Sequence, residues 1–124
     1  MTDLDEATLD VVSPVEEPAT ALFGGRNRTE VLLAIQLLEE TYPSELAALL
    51  GLRLFSVQSI VAAYEREGAL VSRPMGRTRR VTLNPAYPAY RELKALLTRM
   101  ATRDPALRER LTRSRLRREV SIDG

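Results

Sequence analysis

Residues 41–84, TYPSELAALLGLRLFSVQSIVAAYEREGALVSRPMGRTRRVTLN, decide the fold. They read as a helix, a tight turn, a second helix and a β-hairpin. Pro43 stands where a helix can begin, because the backbone donor it lacks would have no partner there. The helix it opens runs to Leu50, and Gly51 ends it by entering the left-handed conformation that closes a helix. Leu52-Arg53-Leu54 makes the turn. The second helix spans roughly Phe55 to Glu67 and stops at Gly68 for the same reason. Leu70-Val71-Ser72-Arg73 is a strand, Pro74-Met75-Gly76-Arg77 a turn, and Arg79-Arg80-Val81-Thr82-Leu83 the return strand.

On the second helix Val57, Ile60, Val61 and Tyr64 follow the spacing of a buried face. The opposite face carries Ser56, Gln58, Ser59 and Ala62, all short enough to let a phosphate backbone or a groove floor approach. Gln58 has the carboxamide that pairs bidentately with adenine, and Ser56 and Ser59 are donors suited to phosphate or base. The same residues also suit an ordinary solvated face. Arg73, Arg77, Arg79 and Arg80 fall within eight residues that include no acid. A ribbon so charged is fit to straddle phosphates or enter a minor groove. The alternative is charge that protects an open strand edge.

The order Ser44-Glu45-Leu46-Ala47, Leu50-Gly51-Leu52, Ser56-Val57-Gln58, Tyr64-Glu65-Arg66-Glu67-Gly68 and Gly76-Arg77-Thr78-Arg79-Arg80 resembles the winged helix-turn-helix DNA-binding domains of ArsR-like and MarR-like transcription regulators. The resemblance covers about Leu22 to Met100. It implies a mainly α fold with a small β-hairpin (α+β), a winged helix-turn-helix with a C-terminal helical extension. It also implies a cytoplasmic regulator of transcription that binds double-stranded DNA as a homodimer and is nucleoid-associated when bound. The second helix would enter the major groove and the hairpin would contact the flanking backbone or minor groove. The DNA-facing residues would be Arg53, Phe55, Ser56, Gln58, Ser59 and Ala62 on the helix, with Arg73, Arg77, Arg79 and Arg80 on the wing. The chain departs from its relatives at the turn, where they usually place Ser, Pro or Thr. Here Leu54 and Phe55 stand beside Leu52. One is expected to cap the core and the other to stay exposed, touching a thymine methyl or anchoring a protein partner.

There is no cysteine and no histidine. This removes disulfides, Cys/His zinc sites, imidazole bases and the Ser-His-Asp triad, and with them the metal-sensing chemistry of some ArsR relatives. Glu16-Glu17 and Glu39-Glu40 are sequence neighbours whose side chains diverge, unlike an acid/base pair. No phosphate-loop motif occurs. The expectation is a protein that is not an enzyme and takes no cofactor and no metal. No apolar run is longer than Val31 to Ile35, which is too short to cross a bilayer, and the acidic start Met1-Thr2-Asp3 lacks the basic region of a signal peptide.

A net charge of +1 hides an asymmetry. Residues 1–25 hold Asp3, Asp5, Glu6, Asp10, Glu16 and Glu17 and no basic residue. All eighteen Lys and Arg follow, against eleven acids, so the remainder carries about +7. That excess suits a nucleic-acid partner. Residues 1–21 read as an acidic disordered tail, either solubilising or shaped to cover the basic face.

Asn27-Arg28-Thr29-Glu30 fits a capping box before a long helix, Arg28 to about Glu40. Its residues Val31, Leu32, Leu33, Ile35, Leu37 and Leu38 make a wide stripe, so this helix should be the central support. Arg26 and Arg28 lie near its start, where an anion can be held. After Asn84-Pro85 a helix from about Ala89 to Ala101 carries Leu93, Leu96, Leu97 and Met100 on one stripe. That stripe either packs on its own domain or pairs two protomers, and pairing is the expectation. The winged domain is placed at residues 22–101 and a basic C-terminal helix or tail at 102–124. Asp104 is its N-cap and Pro105 its first residue. It is crowded by Arg108, Arg110, Arg113, Arg115, Arg117 and Arg118, its apolar residues are sparse, with Leu107, Leu111 and Leu116 the leucines, and it reads as marginal or frayed. A protein-interaction winged helix and a nonspecific DNA-architectural protein are the other function classes.

Overall fold

The five apolar residues Val31–Ile35 are all buried and occupy the middle of the core, as a helix apolar on several sides must. The computed structural model describes residues 22–123, with side chains as far as Arg115. The expected acidic tail lies outside the described residues. The elements in chain order are α1 (Arg26–Leu38), α2 (Pro43–Leu50), α3 (Leu54–Glu67), β1 (Leu70–Met75), β2 (Thr78–Leu83), α4 (Tyr90–Thr102) and α5 (Pro105–Asp123). Helix α1 is the support, touching α2, α3, α4 and β2.

The helix-turn-helix forms where local sterics place it. Gly51 (φ 69°) and Gly68 (φ 88°) both close their helices in the left-handed region, which residues bearing a Cβ enter at a cost. The Leu52 amide then bonds back to the Ala47 carbonyl at 3.0 Å. β1 and β2 form an antiparallel pair with Arg73 opposite Arg80 and Met75 opposite Thr78. The strands reach further than expected: Pro74 and Met75 belong to β1, and the turn is confined to Gly76-Arg77. A two-stranded ribbon has open edges, and there proline is tolerated. At the base of the wing, Thr41 bridges Val81, whose amide donates to the Thr41 carbonyl at 2.7 Å.

Three expectations are corrected here. Helix α1 begins at Arg26, its N-cap is Gly25, and no side chain caps it, so the Asn27–Glu30 box is not formed. Thr29 is buried and its hydroxyl accepts the Phe23 amide at 3.3 Å, folding residues 22–25 back over the helix start. Glu30 instead faces Arg110 of α5 at 3.6 Å. Next, α5 is no frayed tail. The Asp104 carboxylate accepts the Leu107 amide at 3.2 Å, Glu109 pairs with Arg113 at 2.6 Å, and Leu107 and Leu111 are 3% and 2% exposed. Two leucines one turn apart suffice because α2 and α4 supply the surface that covers them. Finally, the α4 leucines do not form one free stripe. Leu97 is 0% exposed, Leu93 and Met100 pack on the core, and only Leu96, at 41%, is open. The Gln36 amide donates to Thr98 Oγ1 at 3.1 Å and fastens α4 to α1.

Candidate nucleic-acid interface

Helix α3 is oriented by the face it buries. Val57, Val61 and Tyr64 are buried and Ile60 packs against them. The Tyr64 hydroxyl donates to the Arg28 carbonyl at 3.3 Å, and the Arg28 guanidinium lies 4.8 Å above the Tyr64 ring. Burial pushes the Tyr64 phenol above its ordinary pKa, opposed by the adjacent Arg28 charge. Arg28 Nε also donates to the Phe23 carbonyl at 2.9 Å. Arg28, expected near a helix start that can hold an anion, is thus engaged in joining α3 to α1. Arg26 stays exposed.

The other side of α3 faces solvent. Arg53, Phe55, Gln58 and Ser59 are exposed, whereas Ser56 and Ala62 are half-buried. The helix begins at Leu54, and Leu54 and Phe55 are both exposed, at 43% and 77%. Neither caps the core, contrary to expectation. Leu52, half-buried against the core, fills that place. The helical period puts Leu54 in line with Val57 and Val61, but the end of α3 projects beyond the elements that cover those two.

Between the start of α2, α3 and the wing lies a groove of about 260 Å³ lined by Tyr42, Ser44, Leu54, Gln58, Arg77 and Arg79, together with Pro43 and Thr78. No acidic side chain lines it. The fold therefore brings Gln58 together with Arg77 and Arg79. Tyr42 and Ser44 share the groove without having been expected there, and so does Leu54, one of the two apolar residues noted at the helix start. Tyr42 and Ser44 carry no local signal for it, since helix α2 alone does not say what its first turn will face.

The four wing arginines do not act as one cluster. Successive strand residues point to opposite faces, so Arg79 and Arg80 diverge. Arg79 Nη2 donates to Ser72 Oγ at 3.0 Å, and the Ser72 hydroxyl donates to the Glu65 carboxylate, which orients Arg79 along α3. Arg77, beside the turn, is exposed and has no partner among the described residues. Arg80 is half-buried, 5.5 Å from the Tyr42 ring centroid, with its Nε buried and unpartnered among the described residues. Arg73 pairs with Glu40 at 3.6 Å. The stretch that holds no acid in sequence thus meets Glu40 at Arg73, and Glu65 reaches it through Ser72, while Arg77 keeps its charge unpaired among the described residues. Strand alternation was the signal that separates Arg79 from Arg80.

Among the described residues no three acidic side chains gather where a metal ion would be held, and no helix is long and apolar enough to cross a membrane.

No family model matches the sequence, and no curated protein does. Solved structures do. The adhesin competence repressor AdcR from Streptococcus pyogenes is similar over 98% of this chain and 87% of its own, with 15% identity and a TM-score of 0.53. A mutant of ZitR from Lactococcus lactis is similar over 98% and 95%, with 13% identity and a TM-score of 0.50. At such identities the likeness is one of fold, and the fold is the winged helix-turn-helix, mainly α with a two-stranded hairpin and a helical extension.

Proposed function

We propose that this chain is a sequence-specific regulator of transcription that binds double-stranded DNA. In this reading α3 enters the major groove and the wing lies on the backbone or in the adjacent minor groove. One observation carries it: Gln58 of α3 and the two outward wing arginines, Arg77 and Arg79, open on one groove that no acid lines. The net positive charge of residues 26–124 supports the same partner.

The test is a fluorescence titration of the full chain against genomic duplexes, including the region upstream of its own gene, at two salt concentrations. A preferred site with steep salt dependence is the expected result. Gln58→Ala should then cost on the order of 1–3 kcal/mol on that site and far less on random DNA. Equal loss on both would make Gln58 a positioning residue. Binding that scales with duplex length and shows no preference would favour the architectural alternative.

A homodimer is part of the proposal, because two half-sites one helical turn apart require two α3 helices. Leu96 is its marker, as the open leucine of α4. Sedimentation should show a dimer at micromolar concentration for the wild type and a folded monomer for Leu96→Glu. Leu97→Glu should instead unfold the chain, since Leu97 is wholly buried. A wild-type monomer would rule the dimer out.

A further inference from the structure

We infer that Phe55 and Leu54 read thymine methyl groups, so that base preference at the first turn of α3 is apolar. The inference rests on the DNA-binding reading above and adds the chemistry of the half-site. Phe55, 77% exposed, is the most open large apolar side chain among the described residues, and Leu54 adjoins it in sequence. Two large apolar side chains exposed at consecutive positions mark a surface that something covers.

The surroundings select the occupant. Arg53 precedes the pair, Arg77 and Arg79 share the groove with Leu54, and the first acid along α3 is Glu65, whose carboxylate accepts the Ser72 hydroxyl. A cationic rim around an apolar tip suits a polyanion that carries apolar groups of its own. In the major groove of DNA the apolar group is the thymine C5 methyl. The first turn of a recognition helix is also the part that meets the base edges. Gln58 lies one turn further on and on the same side as both, at i+4 from Leu54 and i+3 from Phe55. Its carboxamide suits adenine, the partner of thymine, so both contacts favour a half-site rich in A·T pairs.

The probe is obtained by selecting the full chain against a randomised duplex library. Each thymine of the selected duplex is then replaced in turn by deoxyuridine, which lacks only the methyl group. Wild-type affinity should fall about fourfold for each methyl that is contacted, at one or two positions per half-site. Phe55→Ser should bind the thymine duplex more weakly by a similar factor and cease to distinguish thymine from uracil at one of those positions. Arg77→Ala should weaken both duplexes alike. Circular dichroism is expected to show an unchanged fold for Phe55→Ser, and the wild-type comparison alone decides the matter if it does not. Tight binding of the selected duplex with indifference to uracil at every position overturns the inference and leaves the DNA reading standing. So does Phe55→Ser with its thymine preference intact, the outcome expected if these side chains dock a protein. Failure to enrich any duplex overturns the DNA reading itself.

Discussion

Replacing Arg115 by alanine should destabilise the protein by about 3 kcal/mol, because it withdraws two donors from a buried carboxylate. Arg115 Nε and Nη2 hold the two oxygens of Glu45 at 2.9 and 2.8 Å, and Nη2 also donates to the Glu40 carbonyl at 3.2 Å. The Glu45 side chain is 7% exposed and that of Arg115 29%, so water screens the pair little. Bidentate pairing of this kind is among the stronger ionic contacts. Its consequence reaches beyond α5. The Thr41 hydroxyl donates to Glu45 at 2.6 Å, and the Thr41 backbone bridges Val81 in β2. One arginine near the end of the chain therefore braces the first helix of the helix-turn-helix and the base of the wing. Thermal melting followed by circular dichroism should show a midpoint lowered by roughly 10 °C or more. The double variant Arg115→Ala with Glu45→Met should recover part of the loss, since no buried charge then remains. A single variant that melts within about 2 °C of the wild type would mean that the Arg115–Glu45 pair does not hold α5 in place.

The second large effect is on binding. Arg77→Ala with Arg79→Ala should lower the slope of log affinity against log salt by about 1.8, at roughly 0.9 for each phosphate released. At 0.1 M salt this is on the order of fiftyfold in affinity, shared by all sequences because phosphate contacts carry no base information. Arg73→Ala should change little, as its pairing with Glu40 is exposed and its face is the opposite one. Arg80 is left out of the variant because it packs over Tyr42, and its loss would disturb the wing itself. An unchanged slope in the double variant would remove the wing from the DNA contact.

The candidate site was legible to the extent that it depends on periodicity. Gln58 and Ser59 were readable as the exposed side of α3 because Val57, Val61 and Tyr64 mark the other side, and both are exposed. Phe55 was named as a candidate, yet its full exposure with Leu54 was not foreseen. Periodicity assigns a face to a residue but does not say where along that face the covering elements stop. The α4 leucines illustrate the converse. Their spacing marks one stripe, but only packing against α1 decides that Leu97 belongs to the core and Leu96 to the surface.

What the amino-acid order determined by itself is the succession of elements: the start at Pro43, the stops at Gly51 and Gly68, the hairpin that follows and the long apolar helix that precedes them. Those outcomes follow from backbone sterics and side-chain spacing within a turn or two, which act on the chain wherever it lies. The employment of the arginines was decided only in the tertiary structure. Arg28 went to Tyr64, Arg73 to Glu40 and Arg115 to Glu45, over separations of 33 to 70 residues. Arg77, beside the wing turn, was left facing solvent. A long flexible cation carries no local mark of its partner. Its partner is whichever carboxylate, carbonyl or ring the packed helices bring within reach.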